Sequence, residues 1–311
     1  MTGPREMGRA MRIAVSGAGG LVGSAVAPAL IDAGHEIVRM VRGVPAVGDS
    51  TVRWDPERGM IDAAALEGMD AVVHLAGENI AAGRWTAARK AAIRESRVKG
   101  TRLLCEALAE CAAPPKTLVC ASAVGYYGEG GDVALTEESP PGTGFLADVC
   151  REWEEASSPA ARRGIRVVVL RIGVVLSSGG GALERMLPLF RAGLGGVLGS
   201  GRQYVSWIAL EDLAGVVLHA LTREELRGPV NAVAPRPVTN RELTEALAGV
   251  LSRPALLPVP AFALRLALGE MADALLLSGC RVACRRLEET GYRFLFPEIR
   301  GALRHILGRA G

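Results

Sequence analysis

RIAVSGAGGLVGSAVAPALIDAGHEIVRMVR, residues 12–42, decides the architecture. An apolar run over 12–16 enters a turn with glycines at 17, 20 and 23, a helical stretch follows to about Ala33, and a second apolar run ends at Arg42. Each glycine has a physical task. Gly17 allows a tight turn, Gly20 lets the backbone approach a pyrophosphate, and Gly23 lets helix and strand pack closely. Leu21 and Val22 then stand at a helix N-terminus whose N–H groups can hold an anion. An isolated glycine triplet would carry little weight, but strand, turn, helix and second strand within about 30 residues make this a dinucleotide site.

The end of the second strand chooses between cofactors. An acid there would accept hydrogen bonds from the ribose of NAD, whereas this strand offers Arg39 and Arg42. A guanidinium suits a 2′-phosphate, so NADP(H) is the expected cofactor.

Outward from this unit, short apolar runs recur at 51–54, 70–75, 117–122 and 166–172, with helical stretches between them, the longest from Thr86 to Ala112. The alternation predicts a doubly wound α/β domain whose parallel sheet is covered on both faces. Past residue 175 come glycine-rich loops, a return to strand and helix up to Val233, and a mostly helical tail. The expected organisation is a flexible leader over 1–10 and a cofactor-binding domain over 11–175, to which 208–233 returns. Residues 176–207 and 234–311 form a smaller substrate-binding cap. The apolar stretch from Pro254 to Leu277 is interrupted by Pro258, Pro260, Arg265, Glu270 and Asp273, so it reads as a buried helix and not as a membrane span.

Composition narrows the partners. With 311 residues and 49% hydrophobic content the chain can bury a large core, while a net charge of +3 and 4% aromatics offer nothing to a nucleic acid. The first ten residues hold no apolar run, which points to a cytoplasmic protein. Cysteines at 105, 111, 120, 150, 280 and 284 show no CxxC spacing and read as reduced, mostly buried thiols, with Cys280 and Cys284 four apart as helix neighbours would be. Histidines at 35, 74, 219 and 305 lack ligand spacing, so no metal is expected. The expected partner is a small-molecule substrate, with no nucleic acid and no membrane; a homodimer is compatible with this reading.

HLAG at 74–77, RVKGT at 97–101, ASAVGYYG at 121–128 and LRIGVVL at 170–176 carry a family resemblance. With the glycine turn, they make the chain similar to the extended short-chain dehydrogenase/reductases. GENIAAGRW (77–85), FLADVCREWE (145–154), SWIALEDL (206–213), GPVNAVAPRPVTNREL (228–243) and GYRF (291–294) resemble the atypical group labelled "epimerase family proteins". The resemblance covers residues 11 to 308 and implies a Rossmann-type domain with NADP(H) and a C-terminal substrate cap. Carried over by position, it places Gly17, Gly20 and Gly23 at the pyrophosphate and Arg42 at the extra phosphate. Asp55 falls near the adenine, Ala76 and Gly77 under the nicotinamide ribose, and Ser122 where a hydroxyl steadies the reacting oxygen.

Ordinary members place a tyrosine and a lysine one helical turn apart on the helix of 145–156: the ammonium lowers the phenol's pKa, and the phenol exchanges a proton with the substrate. Here the register puts Leu146 and Cys150 at those positions, with Glu154 a turn further on. The tyrosines are 126, 127, 204 and 292, none followed four residues later by lysine. The candidates for chemistry are therefore Ser122, at the carboxyl end of a strand, and Tyr126 and Tyr127 in the loop after it, with Arg97 or Lys99 supplying positive potential. Glu78, Asn79, Arg84 and Trp85, together with Arg97, Arg202, Gln203 and Trp207, are candidates for substrate contact. Cys150 reads as a packed thiol. Neither a GxSxG elbow nor a GxxxxGK loop is present. Two functions fit: an NADP(H)-dependent oxidoreductase or epimerase acting on a small polar metabolite, or a non-catalytic NADP(H) sensor, for example of cell division.

Overall fold

The computed structural model describes residues 9–43 and 51–309; residues 1–8 of the expected leader lie outside them. In chain order the strands are β1 (Arg12–Ser16), β2 (Glu36–Val41), β3 (Thr51–Asp55), β4 (Met60–Ile61), β5 (Ala71–His74), β6 (Thr117–Ala123), β7 (Gly131–Leu135), β8 (Arg166–Ile172), β9 (Val174–Ser177), β10 (Tyr204–Val205), β11 (Trp207–Ala209), β12 (Gly228–Ala232), β13 (Val238–Thr239) and β14 (Cys280–Val282). The helices are α1 (Gly23–Asp32), α2 (Ala87–Glu110), α3 (Phe145–Glu155), α4 (Ser158–Arg162), α5 (Gly181–Arg191), α6 (Leu210–Thr222), α7 (Asn240–Leu251), α8 (Ala261–Leu268), α9 (Glu270–Ala272), α10 (Arg285–Glu289) and α11 (Ile299–Ile306).

Eight strands form one sheet in the order β12-β8-β6-β5-β1-β2-β3-β4, parallel throughout except for the short β4 hairpin. Every apolar run picked out in the sequence is a strand of this sheet. Burial on both faces is why β1, β5, β6 and β8 read as continuous apolar segments, whereas burial alternates along β2 and β3 nearer the sheet edge. Helices α1 and α6 pack together on one face, and α2 with α3 and α4 on the other. The result is a Rossmann-like sheet with a helical C-terminal region.

A third apolar cluster, built from α5, Trp207, α7 and α11, forms a separate core. The chain does not divide cleanly at residue 234, however. Strand β14 pairs with β7, and Cys280, Val282, Cys284 and Leu287 join the core of the main sheet. The carboxylate of Asp212 on α6 accepts hydrogen bonds from the Leu295 and Phe296 amides at 2.7 and 3.0 Å, and the Tyr292 hydroxyl donates to the Asp212 carbonyl at 2.8 Å. The acid of SWIALEDL thus anchors the GYRF segment, and residues 280–294 pack with the sheet they return to.

Two expectations need correction. Cys280 sits in β14 and Cys284 just before α10, so their spacing reflects a strand and a cap, not one helix. The stretch over 254–277 is not one buried helix: α8 ends at Gly269, whose φ of +63° breaks it, and α8 itself contains no buried residue.

Candidate active site

The carboxyl edge of the sheet collects the chemistry. Register aligns Ser16 with His74, His74 with Cys120, Ser122 with Arg171, and Arg171 with Asn231.

At the β1 end the glycine turn is defined by missing atoms. Gly17 has φ +72°, and a Cβ there would stand 2.8 Å from the Ala76 nitrogen; on Gly23 it would stand 2.1 Å from the Gly17 carbonyl oxygen. Neither position admits a side chain. A Cβ on Gly20, by contrast, would meet only the Gly17 carbonyl oxygen at 3.4 Å, so bare backbone faces outward there. Helix α1 then begins with no side-chain cap and no acid in its first turn, which leaves its N–H dipoles for an external anion. Leu21 lies under the loop before α5, where a Cβ on Gly180 would meet it at 2.8 Å. These features fit a dinucleotide pyrophosphate.

Arg39 and Arg42 are exposed at the end of β2, Arg42 facing Glu57 at 3.6 Å. Asp55 accepts a hydrogen bond from the Arg58 amide at 3.3 Å and so closes its own turn. Ala76 and Gly77 follow β5, and the Arg97 guanidinium lies against Gly77, 3.4 Å from where a Cβ would be. Arg97 also lies over the Trp153 ring at 5.1 Å, and burial lowers its pKa.

Beneath this region runs a buried chain of hydrogen bonds. Ser16 Oγ meets His74 Nδ1 at 2.6 Å, His74 Nε2 meets Thr101 Oγ1 at 3.0 Å, and Trp153 Nε1 donates to the same Thr101 oxygen at 2.8 Å. Burial holds His74 neutral, with its pKa lowered to about 4.

The central cluster lies at β6, β8 and α3. Ser122 Oγ donates to Glu154 Oε1 at 2.7 Å, and Arg171 grips both oxygens of that carboxylate with one edge of its guanidinium, Nε and Nη2 donating at 2.9 and 2.8 Å. Arg171 is 3% exposed. Burial opposes its charge, but Glu154 more than offsets the penalty and raises its pKa. The Tyr126 ring stacks 3.5 Å from the guanidinium carbon. Leu146 and Cys150 lie against Gly125 in this loop; burial pushes the Cys150 thiol up to about 11, which suits packing and not nucleophilic attack.

Tyr127 is not a free phenol. It is 3% exposed, its hydroxyl lies 2.7 Å from Asn231 Oδ1 and 2.9 Å from the Thr136 carbonyl, it accepts from Arg171 at 2.9 Å, and burial raises its pKa to about 12. A hydroxyl so engaged is unsuited to proton exchange with a ligand. Trp207 likewise is wholly buried in the cap core, its indole N–H donating to the Arg236 carbonyl at 2.9 Å, so it makes no substrate surface.

The remaining candidates are scattered. Glu78 is paired with Arg89 at 2.7 Å, Asn79 Oδ1 accepts from the Ala81 amide at 2.9 Å, and exposed Arg84 abuts Gly269. Trp85 lines an open cleft of about 790 Å³ with Lys90, Arg94, Phe145, Asp148 and Glu270, whose walls include none of Ser122, Tyr126 and Glu154. Arg202 and Gln203 border a separate cleft of about 190 Å³, and the Gln203 amide donates to the Leu198 and Leu276 carbonyls at 3.0 and 2.8 Å.

With the geometry in place, comparison with known proteins is informative. The profile of the NAD dependent epimerase/dehydratase family matches residues 13–232, and a domain of unknown function (DUF1731) matches 259–306. The chain belongs to the NAD dependent epimerase/dehydratase family. Within it, the chain is 47% identical to epimerase family protein Mb2239 of Mycobacterium bovis over 96% of this chain and 98% of that one. The crystal structure of human epimerase family protein SDR39U1 with NADPH superposes with TM-score 0.87 at 36% identity, covering 96% of this chain and 100% of that one. A nucleoside-diphosphate sugar epimerase from Corynebacterium glutamicum has TM-score 0.80 and 38% identity, covering 96% of this chain and 58% of that one.

For this member of the family, reading the sequence missed Arg171, Asn231 and the tie between Ser122 and Glu154. One signal was available: an arginine inside the otherwise apolar run RVVVLRI, where a buried charge demands a partner.

Proposed function

We propose that the protein binds NADP(H) at the glycine turn and transfers hydride to or from a carbonyl or hydroxyl carbon of a small polar metabolite. Cofactor binding is supported by the bare helix N-terminus beside Gly20, by the arginines ending β2, and by the NADPH in the human relative's structure. The bound nicotinamide would supply the hydride chemistry; the chain's own residues handle the proton.

The hydrogen bond from Ser122 to Glu154 carries this reading. Ser122 is as buried as Tyr127, at 3% exposed, but it points its one proton at the carboxylate and keeps a lone pair, beside the Cys150 thiol, to accept from a substrate hydroxyl. On oxidation the substrate's proton passes to Ser122 Oγ while the serine's own proton moves to Glu154. In the reverse direction the same path returns a proton to the carbonyl oxygen. Arg171 orients the carboxylate without donating a proton itself. Tyr126, lying on Arg171, forms a wall of this floor. The serine–glutamate pair would thus replace the usual phenol and ammonium, reaching the substrate from one strand and the same helix.

A rival reading has one observation behind it: the bidentate Arg171 contact commits Glu154 to a structural ion pair, as a non-catalytic NADP(H) sensor would allow. The discriminating experiment screens NADPH oxidation against carbonyl metabolites, nucleotide sugars included, with wild type, Ser122→Ala and Glu154→Gln. Enzyme function predicts turnover that falls by about 10²-fold or more in both variants while NADPH affinity stays within a few-fold. Tight NADPH binding with no turnover on any substrate supports the sensor.

A further inference from the structure

Arg97 is a guanidinium that the fold takes in without giving it a partner. Its Nη1 donates to the Ile93 carbonyl, one turn back on α2, at 3.1 Å; among the described residues its other N–H groups make no hydrogen bond and it forms no ion pair. Glu78, whose charge favours the cation, is itself held by Arg89 at 2.7 Å. Two other arginines drawn into the fold are treated differently. Arg171 closes on Glu154, and Arg166 donates to the carbonyls of Ala220, Leu221, Arg223 and Leu226 and to the Thr117 hydroxyl. A guanidinium is a planar fork of N–H donors, and desolvating it without acceptors costs free energy. Burial lowers the Arg97 pKa for that reason.

Its place says what would match it. The Trp153 ring lies 5.1 Å from the guanidinium, and a Cβ on Gly77 would stand 3.4 Å from Cζ and 3.5 Å from Nη2. Neither neighbour accepts a hydrogen bond from it. Both lead to the serine–glutamate pair. Strands β5 and β6 are adjacent, with His74 opposite Cys120, so the turn carrying Gly77 leaves the sheet beside Ser122, while Trp153 precedes Glu154 on α3. Cys150 adjoins both: burial and then Glu154 raise its pKa, and the Arg97 charge and the Ser122 hydroxyl act against them.

Two oxygens of a carboxylate match the open fork, whereas a neutral hydroxyl matches one arm and leaves the charge unanswered. On the reading above, the cofactor's phosphates have their own places at the glycine turn and at the end of β2, so this anion belongs to the other ligand. The geometry points to a small oxo or hydroxy acid as substrate, with its carboxylate on Arg97 and the neighbouring oxygen on Ser122. This rests on Ser122 as the residue that meets the reacting oxygen; the carboxylate site itself does not depend on turnover.

The test is calorimetric titration of the full chain loaded with NADP+, so that no hydride moves, for wild type, Arg97→Lys and Arg97→Met. The probes are oxalate, glyoxylate, pyruvate and 2-oxoglutarate at constant ionic strength, with pyruvamide as the uncharged control. Thermal melting confirms that each variant is folded. The expected result is saturable binding of at least one acid and none of the amide. Affinity should fall about ten-fold or more in Arg97→Met and recover in part in Arg97→Lys, with NADP+ affinity within about three-fold throughout. Absence of binding by every acid, equal binding of the amide, or equal affinity in Arg97→Met would overturn it. So would a matching loss of NADP+ affinity in Arg97→Met, which would assign the guanidinium to the cofactor. Arg97-dependent binding without NADPH oxidation by any bound oxo acid would support the carboxylate site and count against the hydride reading alone.

Discussion

At the glycine turn, the site is specified by what is not there: a Cβ on Gly23 would overlap the Gly17 carbonyl, and no side chain caps the helix that follows. Two strands away along the sheet's carboxyl edge, Ser122 is specified by a crowd, Glu154, Arg171, Tyr127 and Asn231, each satisfying the next. The first design uses backbone geometry, which tolerates no added atom. The second uses buried charge, which tolerates no lost partner. The two halves should therefore fail differently when altered.

The sharpest break is Arg171→Met. It strands Glu154 in a partly buried position, and removing one member of such a pair costs about 3–5 kcal/mol, read as a shift in the urea midpoint. Replacing both Glu154 and Arg171 by methionine should recover much of that loss, and a double variant no better than the single one would show that the pair is not what holds this region.

Acid provides the next break. His74 has a folded pKa of about 4 against an ordinary 6.5, so between those values the unfolded chain takes up a proton that the folded chain refuses. Its contribution is fully present above pH 6.5 and is lost as pH falls to about 4, on the order of 3 kcal/mol. Chemical denaturation across that range should show the fall, and His74→Gln should flatten it.

Gly23→Ala attacks the other half. Overpacking against backbone should cost about 1–3 kcal/mol, with NADPH affinity lost beyond what the stability change explains. The smallest effects separate the two tyrosines. Tyr127→Phe removes a hydroxyl bonded to Arg171 and Asn231 and should cost about 1–3 kcal/mol, whereas Tyr126→Phe should change stability by less than about 0.5 kcal/mol. Equal effects would contradict the burial difference between them.

The same contrast explains what the sequence could disclose. The turn was legible because its determinants, Gly17, Gly20 and Gly23, are neighbours in the chain and glycine has a narrow set of structural uses. The middle of the sheet is legible because its doubly covered strands, β1, β5, β6 and β8, are continuous apolar runs. The hydrogen-bonded floor was not, since Ser122 and Glu154 lie 32 residues apart and Tyr127 and Asn231 lie 104 apart. Spacing says nothing about such pairs until β6, β8 and β12 are in register. The motifs present Tyr127 and Trp207 as site residues, yet the fold uses both, with buried polar tips bonded to neighbours. The exposure of α8 was illegible for a related reason: apolar composition records that a segment avoids water, not what covers it.

The most direct measurement is calorimetric titration of the pure, folded protein with NADPH and with NADH, repeated on Arg42→Ala. Saturable one-site binding, tighter for NADPH than for NADH by about ten-fold or more and with that preference reduced in Arg42→Ala, is the predicted result. Absence of association with either nucleotide would contradict the account at its root.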